Sequence, residues 1–254
     1  MCGRFALYEM ITDIAEEFST LHPDGARTLP IDWNIKPTQD IYIIKSEAVK
    51  PDAVKLDSIN SEANRSIDVV SWGLIAPWSK NGEEALRSQS MAINARFESV
   101  HEKPTFKRAF VRSRCLVPAS GYYEWATELG KYKTKQPIYI SREDSHLLAF
   151  TGIYESWTSP EGVIRKSAAI ITRPAVGELA KVHDRMPVFL PRDRWDAWLE
   201  PETRDVEYLR SLMEVKNPDE GLRFWPVRPL VNSIKNNGAE LIEPIELGEP
   251  ETLF

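Results

Sequence analysis

The sequence predicts an α+β fold, a single domain over residues 1–254 in which a curled, mainly antiparallel β-sheet carries flanking helices. Three observations lead there. Short apolar runs, rich in β-branched and aromatic residues, crowd the middle of the chain with turn signals between them. Helical periodicities lie towards the two ends. No internal repeat, low-complexity tract or Gly/Ser-rich linker divides the 254 residues.

Taken in order, Tyr8–Phe18 has the pattern of an amphipathic helix, with Met10, Ile11, Ile14, Ala15 and Phe18 on one side. Ile41–Ile44 has the pattern of a short strand, and the polar stretch Ser46–Ser66 that of a loop or excursion. Val69–Leu74 and Met91–Ala95 are short and apolar, as buried strands are. Pro104, followed by Phe106, Ala109 and Phe110, opens a helix. Then come five strand candidates, Cys115–Val117, Gly121–Ala126, Ile138–Ser141, Leu147–Tyr154 and Ala168–Thr172. Ala175–Val182, Arg192–Leu199 and Asp205–Met213 are helical in pattern, and eighteen prolines mark many corners.

Hydrophobic residues make up 42% and charged residues 28% of the chain, the balance of an ordinary globular protein. A chain this long buries a full core without staples. Its two cysteines, Cys2 and Cys115, make neither a disulfide framework nor a tetrahedral thiolate zinc site. The four histidines lack metal-ligand spacing, so neither a metal nor a cofactor is expected. The start MCGRFALYEM has no apolar signal region, and runs such as Leu147–Phe150 fall far short of the roughly 18 residues a membrane span needs. The expectation is a soluble cytoplasmic protein with no membrane partner, monomeric by default. A net charge of −6 argues against bulk polyanion binding, yet Lys103–Arg142 alone carries nine basic residues against Glu124 and Glu128. That segment can hold a phosphate backbone locally, although charge alone favours a solvated mixed surface.

Four places carry chemistry. Removal of Met1 would leave Cys2 with an α-amine and a thiol on adjacent carbons, whose ordinary pKa values of about 7.7–8.0 and 8.5 keep both partly reactive near neutrality. Such an amine attacks an aldehyde to give a Schiff base, and the thiol then closes a five-membered thiazolidine. The competing reading is a buried free cysteine. His183 can move protons at working pH, although a lone histidine is more often structural. Alternation along Gly121–Trp125 places Tyr122, Glu124 and Ala126 on one face and Tyr123 and Trp125 on the other. Beside aromatics Glu124 would be partly desolvated, which would raise its pKa; spacing alone favours an exposed strand glutamate. After the apolar Met91-Ala92-Ile93, Asn94 offers an amide to orient a substrate and Arg96 a guanidinium for phosphate.

Together these motifs resemble those of the SOS-response-associated peptidase (SRAP) family, the abasic-site processing proteins, over nearly the whole chain. The resemblance runs through Met1-Cys2-Gly3-Arg4-Phe5, Trp33-Asn34-Ile35-Lys36-Pro37, Trp72-Gly73-Leu74-Ile75 and Ile93-Asn94-Ala95-Arg96. It resumes at Arg114-Cys115-Leu116-Val117-Pro118-Ala119, Gly121-Tyr122-Tyr123-Glu124-Trp125, His183-Asp184-Arg185-Met186-Pro187 and Asn236-Asn237-Gly238-Ala239-Glu240. One departure stands at Ala76-Pro77-Trp78, where the proline is one residue before the tryptophan and the family usually has it two before. The resemblance implies a barrel-like SRAP fold and a self-processed amino-terminal cysteine that crosslinks to abasic sites in single-stranded DNA, with associated lyase activity. Carried across, Cys2 would be the nucleophile, Asn94 would position the amino terminus, Glu124 would assist proton transfer there, and His183 would act as acid/base on the sugar. Arg4 and Arg96 would bind phosphates, and Pro37 and Trp78 would contact flanking bases. Two other readings stand beside it: an amidohydrolase using an amino-terminal cysteine, and a DNA-binding module in which Cys2 is incidental.

Overall fold

The computed structural model describes residues 2–20, 27–47, 65–127, 133 and 135–246. In chain order its strands are β1 (Phe5–Leu7), β2 (Asp32–Ile35), β3 (Asp40–Ser46), β4 (Arg65–Trp72), β5 (Asn94–Arg96), β6 (Arg114–Ala119), β7 (Gly121–Trp125), β8 (Pro137–Arg142), β9 (Leu148–Thr158), β10 (Ile164–Pro174), β11 (Arg185–Pro187) and β12 (Leu222–Pro226). The helices are α1 (Ile11–Glu17), α2 (Gly82–Met91), α3 (Pro104–Arg112), α4 (Trp195–Leu199) and α5 (Val206–Leu212). The fold is α+β, and its curled sheet is a closed barrel. Strand β10 pairs with β4, β4 with β3, β3 with β6, β6 with β9, and β9 returns to β10. Two short strands, β5 and β11, attach to the far end of β10. The other five strands make a second sheet in the order β12-β8-β7-β1-β2. All pairings are antiparallel except those of β10 with β4 and β5.

Burial follows from this topology. Strand β6 lies between β3 and β9, and all six of its residues are buried, so its sequence is continuously apolar apart from Arg114. In β10 the run Ser167–Thr172 is buried for the same reason, flanked on both edges. The long β9–β10 hairpin turns at Gly162, whose φ of +84° suits glycine, and Ser159 Oγ accepts from the Glu161 and Val163 amides. Aromatic rings join the two sheets. Phe5 of β1 meets Trp72 of β4 at 5.1 Å and Phe150 of β9 at 5.9 Å between ring centroids, and Tyr122 of β7 also meets Phe150 at 5.9 Å. Gly121 has to be glycine because a Cβ there would lie 2.3 Å from the Tyr139 ring.

Several elements differ from their sequence patterns. Met91 ends a helix rather than beginning a strand. Asn81 caps α2 by accepting from the Glu84 amide at 2.9 Å, while Glu84 accepts from the Lys80 amide, so the capping signal outweighs the apolar run. The amino-terminal helix shortens to Ile11–Glu17, with Tyr8 stacked on Trp33 instead of joining it. Ala175–Val182 contracts to a 3₁₀ turn at Leu179–Lys181, and Arg192–Leu199 divides into a 3₁₀ turn and α4. Most of the Ser46–Ser66 stretch lies outside the described residues; Arg65 and Ser66 already belong to β4. Arg114 is buried inside the protein, where its guanidinium donates to the carbonyls of Val111, Trp198 and Glu200 and so terminates α3 and α4.

Candidate active site at the amino terminus

The seam between the second sheet and the barrel gathers four side chains from four distant parts of the sequence. The segment leading into β1 continues the pairing with β7, since the Tyr123 amide donates to the Arg4 carbonyl at 3.0 Å, and Cys2 lies fully buried at its start. Across the seam, Asn94 opens β5, whose register on β10 places it beside Ile170. Trp72 Nε1 fixes the preceding residue by donating to the Ile93 carbonyl at 3.0 Å. From there Asn94 Nδ2 donates to the Cys2 carbonyl at 2.7 Å, tying the barrel to the amino-terminal strand.

Glu124 projects from β7 on the face it shares with Tyr122, and it is 3% exposed. His183 precedes β11 in a loop held against the end of β7, where the Thr127 amide donates to the Val182 carbonyl at 2.9 Å. Its Nε2 lies 3.9 Å from Glu124 Oε2. Its Nδ1 accepts from the Arg185 amide at 3.1 Å, so the neutral ring carries its proton on Nε2, the side facing Glu124. When a second proton arrives, Nδ1–H finds Asp184 Oδ1 at 2.8 Å. Arg185 braces this loop with a forked ion pair to Glu98, at 2.5 and 3.0 Å, and a bond to the Thr172 carbonyl at 2.6 Å.

Burial sets the protonation states. Desolvation pushes Glu124 up to about 7, so at neutral pH it divides between acid and base. Desolvation also lowers His183, which keeps the ring mostly neutral there. The Cys2 thiol is raised well above its ordinary range, first by burial and then by the charge of Glu124, so it is protonated near neutrality. The cluster therefore holds a buried thiol, a carboxyl that exchanges protons near neutrality and an imidazole donor, all around one backbone position.

The four residues expected at a nucleic-acid surface are distributed differently. Arg96 is exposed two residues after Asn94. Arg4 is half-buried; its Nη1 donates to Asn34 Oδ1 at 2.5 Å and to the Val231 carbonyl at 3.0 Å, and its guanidinium lies 5.9 Å from the Trp125 ring centroid. One guanidinium nitrogen, Nη1, thus joins the amino-terminal strand to the carboxy-terminal segment. Pro37 is half-buried after β2, and Trp78 is 55% exposed in the turn before α2. Among the described residues neither makes a hydrogen bond or ring contact with Cys2, Asn94, Glu124 or His183. The brace formed by Arg185, Glu98 and Thr172 had no part in the sequence expectations. Its one legible sign was that Arg185 shares a motif with His183. Among the described residues no group of three or more His, Cys, Asp or Glu could hold a metal ion, and no helix is long and apolar enough to cross a membrane.

Residues 1–234 match the model of the family described as SOS response associated peptidase (SRAP). The chain belongs to the SRAP family. Among SRAP relatives, the abasic site processing protein YoqW of Bacillus subtilis is 37% identical over 245 residues, covering 96% of this chain and 99% of that one. The abasic site processing protein HMCES of Gallus gallus is 31% identical over 222 residues, 78% of this chain and 62% of the longer relative. A solved protein from Bacteroides thetaiotaomicron shares the fold with a TM-score of 0.77 at 21% identity, over 96% of this chain and all of that one.

Proposed function

We propose that this SRAP protein processes abasic sites in single-stranded DNA by trapping the lesion covalently on Cys2 once Met1 has been removed. The observation that carries the reading is the convergence on Cys2: Asn94 holds its carbonyl while Glu124 and His183 line the same seam. The abasic processing proteins among its relatives support the substrate class.

The chemistry follows from the groups present. An abasic deoxyribose opens to an aldehyde, and His183 Nε2–H supplies the donor for that ring opening. Glu124, poised near neutrality, takes a proton from the Cys2 ammonium. The free amine adds to the aldehyde carbon to give a carbinolamine, and protonated Glu124 returns its proton as water leaves. The Cys2 sulfur then bonds to the imine carbon while the thiol proton passes to the imine nitrogen, which closes a thiazolidine. β-Elimination from the open imine is the competing strand-cleaving outcome. A thiol kept protonated by burial does not trap aldehydes indiscriminately before the amine has reacted. The full burial of Cys2 also favours a sugar without a base, since no base has to be unstacked to bring the aldehyde in.

The test is a time course on an oligonucleotide with one abasic site, resolved on a denaturing gel. Cys2→Ala keeps the amine, so it should give no heat-stable adduct but residual strand scission. Cys2→Ser should also lose durable adducts. Normal yields of heat-stable adduct from Cys2→Ala would sink the thiazolidine step, and unchanged DNA affinity without any capture by the natural chain would favour a plain binding module.

A further inference from the structure

The structure sorts the basic segment Lys103–Arg142 into parts with different fates. Arg114 is an internal cap for two helices. Arg142 is paired with Asp144, Lys131 lies outside the described residues, and Lys133 and Lys135 sit in a separate loop before β8. The remaining four, Lys103, Lys107, Arg108 and Arg112, are all exposed on or at the start of α3, whose opposite side is buried through Ala109 and Phe110.

Their arrangement opposes the helix's own stability. Lys103–Lys107 and Arg108–Arg112 are i,i+4 neighbours of like charge, a spacing that destabilises a helix. The first turn contains no acidic residue, and Lys103 stands at its N-cap without a side-chain capping bond, so cations occupy the positive end of the helix dipole. Of the four, only Arg108 forms an ion pair among the described residues, with Glu155 at 3.9 Å. Local folding gives no reason for this pattern in a protein of net charge −6, whereas an anionic partner does.

The chain also links this face to the candidate site. Arg96 O accepts from the Ser99 and Val100 amides, and Ser99 O accepts from the Glu102 and Lys103 amides, so two tight turns carry the chain from the end of β5 to α3. Along the helix axis the two rows, Lys103–Lys107 and Arg108–Arg112, together extend about 13 Å, the span of roughly four phosphates of a stacked strand. We propose that the exposed cationic face of α3 is a docking surface for the phosphate backbone of the DNA strand beyond the lesion, reached from the site by way of Arg96. This rests on the proposed abasic-site reading. It adds that the hold is sequence-independent and grows with strand length on the α3 side.

The experiment is fluorescence anisotropy on intact single-stranded oligonucleotides, one long and one just covering the site, across a salt series. The natural chain is compared with the triple variant Lys103→Gln, Lys107→Gln, Arg112→Gln; glutamine keeps helix propensity close to that of the residues replaced. With the long strand, the variant's slope of log affinity against log salt should be shallower by about 2, from three phosphates at about 0.7 each, and affinity at low salt should fall on the order of tenfold to a hundredfold. With the short strand the two proteins should agree. A control, Lys133→Gln with Lys135→Gln, should leave the slope unchanged. An unchanged slope in the triple variant, or an equal drop in the control, overturns the assignment. Because the strands lack an abasic site, the result is independent of crosslinking: absence of capture by the natural chain would refute the proposed chemistry without touching this comparison.

Discussion

Replacing Glu124 by Gln should stabilise the protein above neutrality while disabling capture. In the folded chain the carboxyl is raised by desolvation to about 7 from its ordinary 4.5. A carboxyl raised in this way binds its proton more tightly folded than unfolded, so its contribution is complete below pH 4.5 and is lost as pH climbs through 7. At about 1.4 kcal/mol per unit, the difference corresponds to about 3 kcal/mol of stability surrendered between pH 4.5 and pH 8. Glutamine has nearly the same shape and no titration, so the variant escapes that loss. Urea unfolding of both proteins at half-unit steps from pH 5 to 8.5 should show nearly equal stability at the acid end. The gap in favour of the variant should then widen to about 3 kcal/mol at pH 8, with a thermal midpoint roughly 6–12 °C higher. Capture of an abasic strand by the same variant should be slowed by about 10²–10⁴-fold. Parallel stability curves, or a variant weaker than the natural chain at pH 8, would refute the picture of a carboxyl held against its solvation preference for function.

Further outcomes follow from the same geometry. Asn94→Ala removes the 2.7 Å bond to the Cys2 carbonyl; it should cost about 1 kcal/mol in urea unfolding and slow crosslinking in a single-turnover time course. His183→Ala should slow capture by about 10²–10⁴-fold yet reach a heat-stable adduct at long times, because Cys2 is untouched. Arg96→Ala should weaken DNA binding at unchanged thermal stability, while Arg4→Ala should lower both, since Arg4 Nη1 bonds Asn34 and the Val231 carbonyl. Gly121→Ala drives a methyl into the Tyr139 ring and should cost about 1–3 kcal/mol, read from the urea midpoint.

Much of the barrel was legible because its strands are buried on both sides or alternate cleanly. Cys115–Val117 and Ala168–Thr172 are apolar runs that only a sheet interior explains, and the alternation at Gly121–Trp125 correctly put Glu124 beside Tyr122. The short strands Phe5–Leu7, Asp32–Ile35 and Leu222–Pro226 were not legible, since runs of three to five residues are too short to show a period of their own. They exist because their neighbours offer edges. The division into barrel and second sheet was hidden for a similar reason: the ring is completed by the long-range pairings of β10 with β4, β3 with β6 and β6 with β9, which local sequence does not encode. At the site, residue types pointed to Cys2, Asn94, Glu124 and His183, but the distances that unite them come from the segment leading into β1, one strand of each of the two sheets and the loop before β11. Arg4 and Arg114 show what charge alone leaves open. Arg114 donates to internal carbonyls of two helix ends, whereas Arg4 commits Nη1 to Asn34 and the Val231 carbonyl.

The most direct test of the account is intact mass spectrometry of the purified protein before and after incubation with a single-stranded oligonucleotide bearing one abasic site, without reductant. The account predicts a free protein lacking Met1, and an adduct equal in mass to that protein plus the strand less one water, which survives heating and resists later borohydride reduction. An adduct on protein that still carries Met1, or one that borohydride reduces like an open imine, would contradict it.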